Sequence, residues 1–306
     1  MKRSRGALIC VLAFGAACAR AERSAPLAES SAEPAPSAAK PHAAASVTER
    51  EPSSCGAGCQ AFATPQAAFA AVLARDLRVL AIGEAHAQKG ATARSATARF
   101  SELLLPQLRA RASHLVLEIW VQTGKCGAVE RRVEQQQQPV VSGQAPQNLN
   151  DFVALGTRAK ALGIEPQPLV PSCAEYDAIG KAGAADIARM LEMISRRTQR
   201  DIVRLLDAQE RVDAGAKWIV AYGGALHNDL RPRPGREAWS FGPALARRTA
   251  GHYVELDLVV PEFVKDTEVW RAQPWYAHFK AAPRGDRTLL LNPSPDSYAL
   301  VFAAGS

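Results

Sequence analysis

The N-terminal apolar run, Ala7 to Phe14, is far shorter than the roughly 20 residues a membrane-spanning helix needs. Aromatic residues make up only 6% of the chain, and no dense Lys/Arg run is interleaved with them. That removes the usual footprint of a nucleic-acid binder, so no nucleic-acid partner is expected. A Walker-type phosphate loop is missing, and so is the Gly-x-Ser-x-Gly elbow of serine hydrolases. Phosphoryl transfer and serine-based hydrolysis are therefore disfavoured. No repeat with a period of 20–50 residues is visible, which excludes solenoids and propellers. Between Glu22 and Pro52 there is almost no large apolar residue, only Ala, Pro, Ser and Glu in excess. Such a segment cannot bury a core, so residues 19–54 read as a disordered tether.

What remains suffices for one domain, residues 55–306, in a 306-residue chain that is 47% hydrophobic. The formal charge of +7 includes Lys2, Arg3 and Arg5, which precede the Ala7–Phe14 run. Small residues follow at Gly15-Ala16-Ala17, then Cys18. A basic start, an apolar centre and small residues form an export signal over residues 1–18. Cleavage before Cys18 would leave a lipidated cysteine and a lipid-anchored protein of the bacterial cell envelope, on the periplasmic face or the outer membrane. Cleavage after Ala21 would release a secreted protein instead. The anchor is favoured, because the tether then has a role as a spacer from the membrane.

Beyond the leader four cysteines remain: Cys55, Cys59, Cys126 and Cys173. An even count in an exported chain points to disulfides. Cys126 and Cys173 each follow a predicted strand by a few residues, which predicts a Cys126–Cys173 bridge and a small Cys55–Cys59 loop. A zinc site is disfavoured, because the second pair lacks matching spacing.

Short apolar runs alternate with helical patterns. Helices are expected from Pro65 to about Arg75, from Ala91 to Ala112 with a kink or break at Pro106, from Asn150 to Leu162, from Ala184 to Asp213 and from Gly242 to Thr249. Strands are expected at Leu77–Ile82, His114–Glu118, Ile164–Val170, Trp218–Tyr222 and Tyr253–Val260. Leu289–Leu291 and Tyr298–Phe302 read as a closing antiparallel hairpin. The polar stretch Gly124–Asn150, with its run Gln135–Gln138, reads as a loop, either a surface excursion or the rim of a pocket. The expected fold is α/β, a mostly parallel central sheet flanked by helices with a C-terminal antiparallel hairpin.

Three strands run directly into ionisable residues. Leu77–Ile82 leads to Gly83, Glu84 and His86. Leu115-Val116-Leu117 leads to Glu118. Trp218–Tyr222 leads to Gly223-Gly224 and His227. In open parallel sheets ligands sit at these carboxyl ends. If the chain stays extended past Gly83, Glu84 and His86 face the same side. A lone histidine after a strand is more often a cap or a hydrogen-bonded loop residue, and a lone Glu118 could simply partner an arginine. Three strand ends together favour a functional site.

Gly83-Glu84-Ala85-His86 and Gly224-Ala225-Leu226-His227 are two Gly-x-x-His motifs with Glu118 between them. The set resembles the superfamily that joins the Tiki and TraB metal-dependent peptidases, the ChaN haem-binding lipoproteins and the erythromycin esterases. The Gly-Glu-x-His form is closest to the ChaN branch, and the resemblance spans roughly residues 65 to 260. It implies an α/β fold and, by the Tiki branch, peptide or amide cleavage with a divalent metal. Two histidines and a carboxylate also match a hydrolytic metal site in composition. His86 and His227 would be ligands, Glu118 the third, and Glu84 a ligand or the general base. Manganese, cobalt, zinc or iron would lower the pKa of bound water toward ~7. Asp229, two residues past His227, would orient it. The substrate would be a peptide or small-molecule amide or ester.

The ChaN branch implies an alternative partner, haem, with tyrosine on the iron. The five tyrosines, Tyr176, Tyr222, Tyr253, Tyr276 and Tyr298, form no motif for it. In the esterase branch histidine acts on water without a metal, but its Glu-x-x-His spacing differs from the Glu-x-His here.

Overall fold

The computed structural model describes residues 8–11, 17–18, 51–212, 217–283 and 285–305. Lys2, Arg3, Arg5, the cleavage position after Ala21 and nearly all of the expected tether lie outside the described residues.

Among the described residues, eleven strands form one sheet. In chain order they are β1 (Leu8–Val11), β2 (Ala17–Cys18), β3 (Ser53–Gly56), β4 (Cys59–Phe62), β5 (Val79–Glu84), β6 (Ala112–Gln122), β7 (Glu165–Leu169), β8 (Trp218–Gly224), β9 (Tyr253–Val259), β10 (Thr288–Ser294) and β11 (Ser297–Val301). The sheet order is β2-β1-β6-β8-β5-β9-β11-β10-β4-β3, with β7 also paired to β6. Pairs β7–β6, β6–β8, β8–β5, β5–β9 and β9–β11 are parallel. The β10–β11 hairpin is antiparallel, as are β10–β4 and β3–β4. This is the mixed, mostly parallel sheet with a C-terminal hairpin that the sequence predicts. Pro166 and Pro168 sit in β7, which pairs with β6 alone, because proline cannot donate to a second ladder. β1 runs antiparallel to the end of β6, and β2 pairs with β1.

Helices cover both faces. They are α1 (Pro65–Leu73), α2 (Ala96–Arg99), α3 (Ala128–Val141), α4 (Gln147–Ala161), α5 (Cys173–Gly180), α6 (Asp186–Arg211), α7 (Gly242–Arg248), α8 (Glu268–Arg271) and α9 (Tyr276–Ala281). The central strands read as unbroken apolar runs because both of their faces are buried. Leu80 and Ile82 pack with Leu117, Val220, Tyr222 and Leu256 against Phe69, Phe100 and Phe152. Their neighbours Val79 and Ala81 pack on the other face with Val116 and Ile219 against Tyr176, Ile194 and Ile202. A third cluster joins β4, β10 and β11 to Trp275, Tyr276 and Phe279.

Local signals placed most boundaries. Thr64 Oγ1 accepts from the Ala67 amide at 3.1 Å, which caps α1 with Pro65 in its first turn. Pro106 does break the helix expected over 91–112. After α2 the chain widens into a π-turn at Phe100–Leu104 and tightens into a 3-10 turn at Leu105–Leu108. The long helical stretch near 184–213 is one helix, α6.

The Gln-rich segment is a correction. Residues 128–141 form helix α3, not a loop, because Val129, Val133 and Val140 recur at helical spacing and Val133 is fully buried. The chain after α3 braces the loop that follows β5. The Ala145 amide donates to Ala87 O at 2.9 Å, the Lys89 amide to Gly143 O at 2.9 Å, and Asn148 Nδ2 to Ala87 O at 2.9 Å. Both expected disulfides are present, Cys55–Cys59 and Cys126–Cys173.

Candidate active site

The carboxyl ends of β5, β8 and β9 lie in register. Gly83 of β5 is level with Gly223 of β8 on one side and Asp257 of β9 on the other. Both glycines leave space that other side chains fill. A Cβ on Gly223 would stand 2.9 Å from Glu118 Cβ, and one on Gly83 would stand 2.5 Å from Asn228 Oδ1. Glu118 lies within β6 rather than at its end, since β6 continues to Gln122.

Glu84 ends β5 on the face occupied by Leu80 and Ile82. Its Oε2 accepts from Tyr222 Oη at 3.0 Å, and its Oε1 is 2.5 Å from His86 Nδ1. The expectation that Glu84 and His86 share a side holds. With Nδ1 turned to the Glu84 carboxylate, Nε2 is the ring nitrogen of His86 left over. That atom is buried and has no hydrogen-bond partner among the described residues. Phe152 packs edge-on against the ring at 5.4 Å and fixes its plane.

His227 follows the turn after β8. Its Nδ1 donates to Trp239 O at 2.7 Å, so its Nε2 carries the lone pair. This Nε2 lies 3.6 Å from Glu118 Oε1, too far for a hydrogen bond. Glu118 Oε2 accepts from the Gly224 amide at 2.7 Å. Burial pushes the Glu118 carboxyl well above the usual range, and the negative charge of Glu84 adds to this against the Gly224 amide. Burial pushes His227 down to about 4, against the Trp239 carbonyl and with help from His86. Burial thus disfavours the charged form of both groups. Glu84, His86, Glu118 and His227 are all at most 4% exposed.

A cavity of about 270 Å³ opens over this edge. Glu84, His86, Gly224 and His227 line its floor, and the chain after β9 forms an apolar wall. Glu118 sits behind His227, in a separate space of about 10 Å³. Gln88 lines the cavity and pairs with Gln144 through an isolated bridge, so the segment after α3 supports the rim from outside.

No family model matches this chain, and no curated protein or solved structure matches it significantly. The resemblance therefore stands on the motif residues alone.

The four candidate residues gather as two His–Glu pairs rather than one cluster. Among the described residues, no three His, Cys, Asp or Glu side chains are grouped to hold a metal ion. The Glu84 and His86 donors face each other, and His227 faces Glu118. His86 Nε2, His227 Nε2 and Glu118 Oε1 are nonetheless each buried without a hydrogen-bond partner among the described residues. Among the described residues no tyrosine lines the cavity: Tyr222 Oη is bonded to Glu84, and Tyr253 Oη donates to Asn228 O at 2.7 Å.

Asp229 does not orient His227, since the Trp239 carbonyl does so. Asp229 belongs to an acidic group below the site. Burial, then Asp257 and Glu255, pushes its carboxyl up to about 9. Glu255 and Asp257 share one side of β9, and both are buried. Glu255 accepts from the Leu230 amide at 2.6 Å and Ser297 Oγ at 2.9 Å. Asp257 accepts from Asn228 Nδ2 at 3.2 Å and Trp275 Nε1 at 3.0 Å. Burial and Glu255 push Asp257 up to about 7. The sequence reading missed Tyr222, Asn228 and Trp239. Only Tyr222 had a local signal, as the residue before the Gly223-Gly224 turn.

Proposed function

We propose that this chain is an exported hydrolase that cleaves a carboxylic ester or amide at the carboxyl edge of its sheet, with the Glu84–His86 pair moving the proton. The observation that carries the reading is His86, braced at Nδ1 by Glu84, with an unpartnered Nε2 on the cavity floor. In this reading Nε2 of His86 takes a proton from water as the water oxygen bonds to the carbonyl carbon. The bond to the leaving oxygen or nitrogen then breaks, and that atom takes the proton that His86 Nε2 accepted from water, which returns the imidazole to its starting form. The export leader and the two disulfides support a location in the oxidising envelope.

The test is a panel of p-nitrophenyl esters and aryl amides, with chelator and with added manganese or zinc. Hydrolysis should survive the chelator. His86→Gln should lower kcat at least about 100-fold while circular dichroism stays unchanged. Hydrolysis of no ester or amide, or activity that His86→Gln retains, would refute the reading. Activity lost to chelator and restored by one metal would replace it with the metal-dependent form that the Tiki branch implies.

A further inference from the structure

We infer that the cavity takes an apolar acyl or aryl compound bearing a single carboxylate, and that Lys265 receives this carboxylate at the mouth. The inference rests on the hydrolytic reading of the site and specifies its substrate.

The wall facing the two histidines comes from the segment between β9 and β10. Phe263, Val269, Trp270 and Trp275 supply it. This surface is held in place. Trp275 Nε1 donates to Asp257 Oδ2 at 3.0 Å, and the Trp270 and Trp275 rings meet edge to face at 5.9 Å. A fixed aromatic wall over a polar floor suits a ligand with an apolar body and one reactive polar group.

Lys265 is the one cation among the described residues that line the cavity, and it is exposed, which puts it at the mouth. Its acidic neighbours are engaged elsewhere. Asp266 accepts from Arg271 Nε at 2.7 Å and Tyr276 Oη at 2.9 Å, and Glu262 accepts from the Gly305 amide at 2.8 Å. Lys265 has no ion-pair partner among the described residues. A single lysine is a compact point charge with no second cation beside it, which matches one negative charge better than a phosphate dianion.

The floor fixes the orientation. Glu84 and Asp257 line it, and their acceptor oxygens are occupied by His86, Tyr222, Asn228 and Trp275. An anion would be repelled there and drawn to Lys265. The scissile carbonyl would then reach His86, with the apolar body along the tryptophans.

The test uses intrinsic tryptophan fluorescence of the full chain, titrated with 4-phenylbutyrate and with its neutral counterpart 4-phenylbutan-1-ol. The acid should bind about tenfold more tightly than the alcohol, the ratio expected for one charge-assisted contact. Lys265→Gln should erase that preference and leave alcohol binding unchanged, and Lys265→Arg should restore it. Equal affinity for acid and alcohol, a preference that survives Lys265→Gln, or no binding of either compound would overturn the inference. The expected binding pattern without hydrolysis of any carboxylated ester would sink the hydrolytic reading alone and leave the binding assignment standing.

Discussion

Glu118 occupies the space that a side chain on Gly223 would fill: a Cβ there would lie 2.9 Å from Glu118 Cβ. The glycine of β8 and the carboxylate of β6 are therefore one steric unit. Gly223→Ala should push Glu118 away from the Gly224 amide and from His227. The expected cost is about 1–3 kcal/mol of stability, typical of overpacking a filled interior. Hydrolysis should fall with it. A urea unfolding midpoint equal to wild type would refute the steric claim.

Tyr222 holds Glu84 without lining the cavity. Tyr222→Phe removes the donor from a buried carboxylate oxygen at a cost of about 1–3 kcal/mol. Because the hydroxyl touches Glu84 and not the cavity, kcat should drop and KM should stay nearly constant. A change confined to KM would show that the tyrosine meets substrate instead.

Buried acids should make stability depend on pH. Asp257, pushed up to about 7, and Asp229, pushed up to about 9, keep their protons in the folded chain after an unfolded chain has lost them. Unfolded carboxyls titrate near ~4, so these two groups make stability fall as pH rises from there through their folded values. His227, pushed down to about 4, works the other way and adds stability as pH rises toward ~6.5. Asp229→Asn should therefore raise Tm clearly at pH 8 and hardly at pH 4, as read by thermal melts. An equal shift at both values would contradict the buried-acid account.

The two disulfides should contribute unequally. The Cys126–Cys173 bridge spans 47 residues and ties the start of α3 to the start of α5, whereas Cys55–Cys59 spans four. Loop-closure entropy predicts losses of about 4 and about 2 kcal/mol when each is removed. Denaturant unfolding of the Cys126→Ala/Cys173→Ala and Cys55→Ala/Cys59→Ala variants would test the order.

The fold was legible because its strands announce themselves. Val79–Ile82, Leu115–Leu117 and Trp218–Tyr222 are buried on both faces and so are apolar throughout. The pairing of Glu84 with His86 followed from the two-residue period of extended chain. Helix α3 was hidden by its polar face, since Gln135, Gln136 and Gln138 mask three valines at helical spacing. The partner of His227 was hidden for another reason. It is a backbone carbonyl, Trp239 O, and every residue type carries that group. The burial of Glu255 and Asp257 could not be read either, because it depends on Trp275 and Asn228 arriving from distant parts of the chain.

The central position of β5 governs when this protein can fold. Both of its lateral partners, β8 and β9, lie more than a hundred residues downstream, and β4, apart from its short pairing with β3, waits for β10. A growing chain has nothing to hold its first motif strand until residue 224 has emerged. Folding must wait for contacts of high sequence separation, which makes it slow. Until β8 and β9 dock, Glu84 and His86 remain a loose pair of side chains, and the two His–Glu pairs come into being only near the end of folding.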